Sequence, residues 1–398
     1  MTIIDDAWGL HEGHFWLRDR HPDRPVRFDE TTGMWNVYGY PEVMRILGDP
    51  KTFSSDTART LPPEMQEPTE GNLVQMDPPL HGKLRKLVSH AFTPKVVADL
   101  EPRIAEVTGE LLDALDGRDR LELVADLAYP LPVIVIAELL GVPAGDRHLF
   151  KQWVDGIFDS SRQFSLRDQS EEQVRDLAYV REQVTHLTDY LGEHVEERRR
   201  RPRADLLTKL VEAEVDGERL TRTEVVNFAN LLLLAGHITT TMLLGNTVLC
   251  LDAHPEWFGR VREDRSTIPA VIEESLRFFS PFATLGRVTD VDVELGGEHV
   301  PAGELLMVWV AAANRDPRQF ADPGVFDPTR DPNPHLAFGR GIHFCLGAPL
   351  ARLEGRIALG MLLDRFPRLR TDPDEPPQFL ASPNLTGVRR LPLLTSAG

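Results

Sequence analysis

The residues best suited to chemistry lie in one run, Phe338-Gly339-Arg340-Gly341-Ile342-His343-Phe344-Cys345-Leu346-Gly347. Gly339 and Gly341 free the backbone for angles closed to other residues. Cys345 falls where this loop meets a helix expected over about 346–366. A helix N-terminus lowers a thiol's pKa and favours thiolate. Gly347 removes a side chain where a flat group would lie against the backbone. A single loop-held thiolate suits one axial bond to a metal that is otherwise coordinated, and haem iron fits that description. Two other readings stand beside it: a buried inert thiol, the usual fate of a lone cysteine, and a nucleophile paired with His343.

Other stretches place polar residues in unexpected surroundings. Ala235-Gly236-His237-Ile238-Thr239-Thr240 lies inside LLLLAGHITTTMLLG, the most apolar part of the chain. Glycine and adjacent threonines are locally unfavourable there. Either the threonines bond back to their own helix carbonyls, or the break shapes a groove for a small ligand. In Asp77-Pro78-Pro79-Leu80-His81-Gly82-Lys83-Leu84-Arg85, His81 and Arg85 are four apart and share one helix face. Glu274 and Arg277 are three apart and can pair. His11-Glu12-Gly13-His14 spaces its histidines three apart, not the four of a zinc-hydrolase helix.

Helical periodicity dominates the elements that must hold these residues. Val174, Leu177, Val180, Val184, Leu187, Leu191 and Val195 put one apolar face on a helix over 171–200, and Arg198–Arg201 suit the negative end of its dipole. Helices are also expected over 94–115, 127–140 and 268–279. Another should run from Thr221, with Glu224 three residues on as a capping box, to about Ala253. The apolar 231–245 stretch is broken by Gly236, His237 and three threonines, so it reads as a buried helix, not a membrane span. Alternation at Val291, Val293 and Leu295 and the run 304–310 read as strands. The class is mainly α, with about a dozen helices and a small β-rich lobe. The 31 prolines lie all along the chain and mark no linker, so residues 1–398 are expected to form one domain.

The cysteine run resembles the haem-binding signature F-G-x-G-x-H-x-C-x-G of the cytochrome P450 family. It matches at Phe338, Gly339, Gly341, His343, Cys345 and Gly347 and continues into Leu350-Ala351-Arg352. Asp77–Arg85, Ala235–Thr240, Glu274–Arg277, Ala313-Asn314-Arg315-Asp316-Pro317 and Phe326-Asp327-Pro328-Thr329-Arg330 follow in the family's order. The resemblance implies the cytochrome P450 fold and haem b as cofactor, its iron ligated by Cys345. It implies that Glu274, Arg277 and Arg330 brace the fold behind the haem. It assigns His81, Arg85, Arg287 and His343 to the two propionates and sets Ala235, Phe338 and Gly347 against the cofactor. Gly236, Thr239 and Thr240 would form the oxygen groove, where Thr239 holds a water that delivers protons. One position departs: the family's usual acid before this threonine is Ile238 here. His237, Thr240, a water chain or a substrate hydroxyl are the candidates to replace it.

The string AGHITTT is similar to that of actinomycete macrolide-tailoring hydroxylases, which work without the acid. The resemblance therefore implies a monooxygenase that hydroxylates or epoxidises a natural-product intermediate, a macrolide or other polyketide. Terpenoid, aromatic and peptide substrates, and a peroxide-driven peroxygenase, are the alternatives. A haem sensor or carrier that does not turn over is a third class. Pocket lining is expected from 57–76, 155–175, 231–240, 282–285 and 384–385, with Leu234, His237, Ile238, Phe282, Leu285 and Leu385 as candidates. No Rossmann fingerprint or flavin domain is visible, so electrons are expected from a separate ferredoxin and ferredoxin reductase. Lys83, Arg85 and Lys86 lie near the expected docking face.

Composition narrows the remaining classes. With 44 basic and 62 acidic residues the net charge is −18, a poor match to nucleic acid or an anionic membrane. Two cysteines, Cys250 and Cys345, are too few for a disulfide framework or a four-thiolate zinc site and suit a reducing cytoplasm. The first twenty residues carry charges throughout, so neither a signal peptide nor a membrane anchor is expected. A cytoplasmic monomer is the expectation.

Overall fold

Thr221 starts the longest helix by a reciprocal cap. Its hydroxyl accepts from the Glu224 N–H at 3.1 Å, and the Glu224 carboxylate accepts from the Thr221 N–H at 2.8 Å. The helix then runs Arg222–Ala253, until Pro255 lies too close for it to continue. It is hydrophobic nearly all round and forms the spine of the core. In the computed structural model, which describes residues 8–60, 70–89, 92–158, 164–167, 170–215 and 217–395, the helices Pro130–Leu140, Glu171–Arg200, Ile268–Phe278 and Ala348–Arg365 pack most extensively on this spine. Thirteen α-helices form among the described residues. The spine is long and apolar enough to cross a membrane, but 67% of its most apolar window is buried within the protein.

The β lobe lies to one side. Its main sheet has five strands in the order Val26–Asp29, Met34–Val37, Leu305–Val308, Leu285–Thr289, Phe53–Ser54. The second and third strands are parallel, with Val37 opposite Val308. The other pairs are antiparallel, and Leu306 faces Arg287. A three-stranded sheet joins Arg370–Thr371, Pro392–Leu394 and Arg120–Glu122.

Several expected elements take different bounds. The 94–115 segment is two helices, Pro94–Ala98 and Glu101–Asp113, since Pro102 lacks the N–H a continuous helix needs. The 127–140 helix begins only at Pro130, after a π turn over Val124–Ala128. The strand expected from Val291 begins at Val293, and Val291 is exposed. Glu171–Arg200 forms as expected, but its apolar face is buried only in the second half, at Leu187, Leu191 and Val195. Val174 is 58% exposed, although Gln173 beside it exchanges hydrogen bonds with the Ser165 backbone at 3.0 and 3.1 Å. The basic run is not wholly solvated either. Arg198 turns inward, 1% exposed, and donates to Asp205 at 2.6 Å and to the Gly141 carbonyl.

Segment 164–167 is latched to the first hairpin. The Leu166 N–H donates to the Thr32 carbonyl at 2.9 Å, and the Ser165 hydroxyl donates to Thr31 and Thr32. Of the expected pocket segments, residues 61–69, 159–163 and 168–169 lie outside the described residues.

Candidate active site

The cysteine loop is fixed from both ends. Gly339 and Gly341 have φ of 67° and 69°, the left-handed region that glycine favours. A Cβ on Gly341 would lie 2.5 Å from the Leu47 carbonyl oxygen, so the loop packs on backbone there. The Cys345 N–H donates to the Phe338 carbonyl at 2.8 Å. The helix Ala348–Arg365 starts three residues later. The N–H groups of Gly347 and Ala348 act on the thiol in the lowering direction, as the helix-start reading expects. Burial is the larger influence, and the thiol's pKa is raised overall. Behind the loop, Arg352 lies over the Phe338 ring at 4.5 Å and pairs with Glu273 at 2.7 and 2.8 Å. His335 and Arg352 hold Glu273 at a pKa of about 2 against the opposing effect of burial. This second brace carries no signature that a single sequence reveals.

Beside the loop, His81, Arg85, Arg287 and His343 come together from three elements: the helix Leu80–Ser89, the strand Leu285–Thr289 and the turn Gly341–His343. The His81 and His343 rings are 4.3 Å apart. The Arg85 guanidinium donates to the Phe344 carbonyl at 2.6 Å. Ser55 Oγ lies 2.8 Å from His343 Nε2. Arg287 is 6% exposed, and among the described residues its guanidinium hydrogen-bonds only to the carbonyl of neighbouring Gly286, at 2.6 Å. Burial first, then Arg287 and His81, lower His343 to about 3. Burial lowers Arg287 to about 10. His81 is lowered by burial and then Arg85, and its Nε2 is buried with no partner. Asp77 is the carboxylate that opposes these groups, and it already accepts from Ser54 at 2.5 Å and the Ser55 N–H at 2.9 Å. Two guanidiniums against the one carboxylate of Asp77, beside an orphaned buried ring nitrogen, fit a bound group carrying carboxylates.

On the spine helix, Ala235 is exposed and Gly236 and Thr239 half-buried, between buried Leu233, His237, Ile238 and Thr240. A cleft therefore reaches the helix at this turn. Thr239 Oγ1 donates to the Ala235 carbonyl at 2.8 Å, Thr240 to Gly236 at 3.4 Å and Thr241 to His237 at 2.9 Å. The back-bonded arrangement weighed for these threonines is thus present. His237 faces away from the cleft. Its Nδ1 lies 2.9 Å from the Leu233 carbonyl, and its ring meets Tyr129 edge-on at 5.5 Å. Burial lowers its pKa to about 4.

The other pocket candidates divide. Leu234, Ile238, Phe282 and Leu385 belong to one apolar cluster, and Phe282 pairs with Leu385. Leu285 packs instead against the cluster under the main sheet. His14 is buried, with Nε2 3.0 Å from the Pro383 carbonyl, and no metal-binding group of three or more His, Cys, Asp or Glu occurs among the described residues.

Glu274, Arg277 and Arg330 meet. The Glu274 carboxylate accepts from Arg277 at 2.7 and 2.8 Å, from Arg330 at 3.2 Å and from the Asp327 N–H at 2.8 Å. Arg315 is also buried, its guanidinium 3.5 Å from the Phe278 ring centre.

This loop, cation cluster and clefted helix define a haem protein of the thiolate-ligated type. The chain belongs to the cytochrome P450 family, whose model, described as "Cytochrome P450", matches residues 7–394. It is 46% identical to cyclomarin C epoxidase CymV of Salinispora arenicola, over 97% of each chain. It is 42% identical to the erythromycin C-12 hydroxylase of Saccharopolyspora erythraea, over 100% of this chain and 98% of the other. The crystal structure of HmtT, involved in himastatin biosynthesis, superimposes with a TM-score of 0.88 at 60% identity, over 100% of both chains. The chain is thus a cytochrome P450 monooxygenase, and its cofactor is haem b.

Proposed function

We propose that this cytochrome P450 hydroxylates or epoxidises a natural product in the cytoplasm, with electrons from a ferredoxin and its reductase. Haem b, when bound, supplies activation of dioxygen and insertion of one oxygen atom into a C–H or C=C bond. Cys345 would hold its iron, and His81, Arg85, Arg287 and His343 would meet its carboxylates. Gly236, Thr239 and Thr240 shape the cleft beside it, and Thr239 presents a hydroxyl there for water or substrate. His237 takes no part in proton delivery from its present position, because its ring lies against Tyr129. The observation that carries this reading is the pair Arg85 and Arg287 set against the single carboxylate of Asp77 beside the cysteine loop, with His81 Nε2 buried and unpartnered among the described residues.

Two scaffolds are supported for the substrate. The string AGHITTT and the erythromycin C-12 hydroxylase favour a macrolide or other polyketide. The higher identities to HmtT and CymV, 60% and 46%, favour a scaffold of the himastatin or cyclomarin type. For the ferredoxin, Lys86 is exposed, whereas Lys83 pairs with Glu218 and Arg85 turns toward the cysteine loop. Lys86 is therefore the residue expected to matter most in docking.

The test is an optical titration of the purified holoprotein with himastatin, cyclomarin C and an erythromycin-type macrolide. A saturable Soret shift toward high spin with one scaffold identifies the class. A haem spectrum unmoved by all three removes these substrate scaffolds. No haem spectrum after supplying haem during expression overturns the role given to Cys345.

A further inference from the structure

Asp77 stands outside the four residues assigned to the haem carboxylates, yet it is linked to every element that carries them. Its carboxylate accepts from the Ser54 hydroxyl at 2.5 Å and from the Ser55 N–H at 2.9 Å. Its carbonyl accepts from the His81 N–H at 3.0 Å, at the start of the helix that also carries Arg85. Ser55 Oγ lies 2.8 Å from His343 Nε2. Ser54 pairs across the sheet with Val288, the residue after Arg287. The three elements that supply His81, Arg85, Arg287 and His343 are therefore fastened at one half-buried carboxylate.

A histidine ring has two nitrogens, and the partner of one decides what the other presents. With Ser55 on Nε2, His343 is left to meet a carboxylate through Nδ1, which has no partner among the described residues. Ser54 and Ser55 are 1% and 2% exposed, so water cannot replace Asp77 as their acceptor without a rearrangement. The Asp77 charge also acts on His81, Arg287 and His343 together. Charge beside a group that takes up an electron biases that uptake. We propose that Asp77 is a positioning residue for the cofactor: through Ser55 it holds His343 toward the haem carboxylates, and its negative charge tunes the reduction potential of the iron. This rests on the haem-thiolate reading above and adds to it what orients and offsets the cations.

The test compares Asp77→Asn and Ser55→Ala in the holoenzyme. Redox titration followed in the Soret band gives the ferric–ferrous potential, and resonance Raman spectra give the bending modes of the haem carboxylates. Asp77→Asn keeps the size of the side chain and removes its charge. It should favour the ferrous state roughly tenfold, an upward shift of about 59 mV for one electron. Ser55→Ala keeps the charge and removes the tether. It should move the carboxylate modes and shift the potential less than Asp77→Asn does. An unchanged or lowered potential in Asp77→Asn overturns the charge role. Unmoved carboxylate modes in Ser55→Ala overturn the positioning role. If Asp77→Asn does not retain haem, Ser55→Ala decides alone through those modes. Absence of a haem spectrum in the unsubstituted protein would instead overturn the haem reading beneath the proposal.

Discussion

Replacing Glu274 by alanine removes the acceptor on which a buried cationic network depends. Glu274 and Arg277 are both 0% exposed. The carboxylate accepts two bonds from Arg277 and one each from Arg330, Asn333 and the Asp327 N–H. Without it, Arg277 keeps only the carbonyls of Asn314, Pro323 and Val325, and nearby Arg315 loses a favourable charge. Orphaning one partner of a buried ion pair costs about 3–5 kcal/mol. Against a typical folding stability of about 5–15 kcal/mol, that is a large fraction. Arg330 makes one 3.2 Å bond to Glu274 and donates elsewhere to the carbonyls of Ala321, Asp322 and Val325. It is partly solvated, so Arg330→Ala should cost only about 1–2 kcal/mol. Urea unfolding followed by far-ultraviolet circular dichroism measures all of these. The double variant Glu274→Leu with Arg277→Met should be less destabilised than the sum of its single variants, because it leaves no orphaned charge. A cost below about 1 kcal/mol for Glu274→Ala, or simple additivity in the double variant, would refute the reasoning.

Further outcomes follow from the same physical rules. Gly341→Ala should destabilise the cysteine loop by at least about 1–2 kcal/mol from its left-handed φ, before the contact with Leu47 is counted; thermal melts of the holoprotein check this. His14 and His237 are each lowered to about 4, so both bind protons on unfolding between the ordinary value of 6.5 and about pH 4. Their contribution is present above pH 6.5 and lost as pH falls through that window, so His237→Leu should flatten the acid limb of stability against pH, by up to about 3 kcal/mol. Glu354 has the opposite sign: burial raises it to about 8, and its Oε2 is unpartnered. Stability is penalised as pH rises from 4.5 to about 8, and Glu354→Gln should remove a slope on the order of 5 kcal/mol across that range. Lys86→Ala should slow ferredoxin-driven turnover more at low than at high salt, as a screened surface charge requires; unchanged steady-state rates would remove that docking assignment.

The sequence made some of this legible for definite reasons. Gly339, Gly341 and Cys345 sit in one short run, where local spacing and geometry coincide. Thr221 and Glu224 announce their helix start because a capping box is local. The apolar spine was readable as buried because its glycine, histidine and threonines interrupt the hydrocarbon that a lipid-facing helix would keep. Long-range partners were hidden. Arg352 finds Glu273 across 79 residues and Arg198 finds Asp205 only after its helix ends, so neither pairing shows in local spacing. The apolar face over 171–200 misled in its first half because periodicity records which residues share a side, not whether anything covers that side. Leu285 and Leu385 pack against different clusters, and the pairing of Leu285 with Val308 across the sheet, which no local pattern announces, sets the side on which Leu285 packs.

The hydroxyl of Thr239 spends its hydrogen on the Ala235 carbonyl. In that rotamer it presents only lone pairs to the cleft, so the helix wall there invites a donor and has none to give. Rotation about χ1 would break a 2.8 Å bond worth about 1 kcal/mol net and reverse the sense of the hydroxyl. The penalty corresponds to roughly a fivefold bias, small enough to be paid back by one good hydrogen bond from a water or a substrate. An occupant of the cleft that offers a lone pair at this turn would therefore compete with the Ala235 carbonyl for the Thr239 hydrogen, whereas one that offers a donor would leave that bond in place.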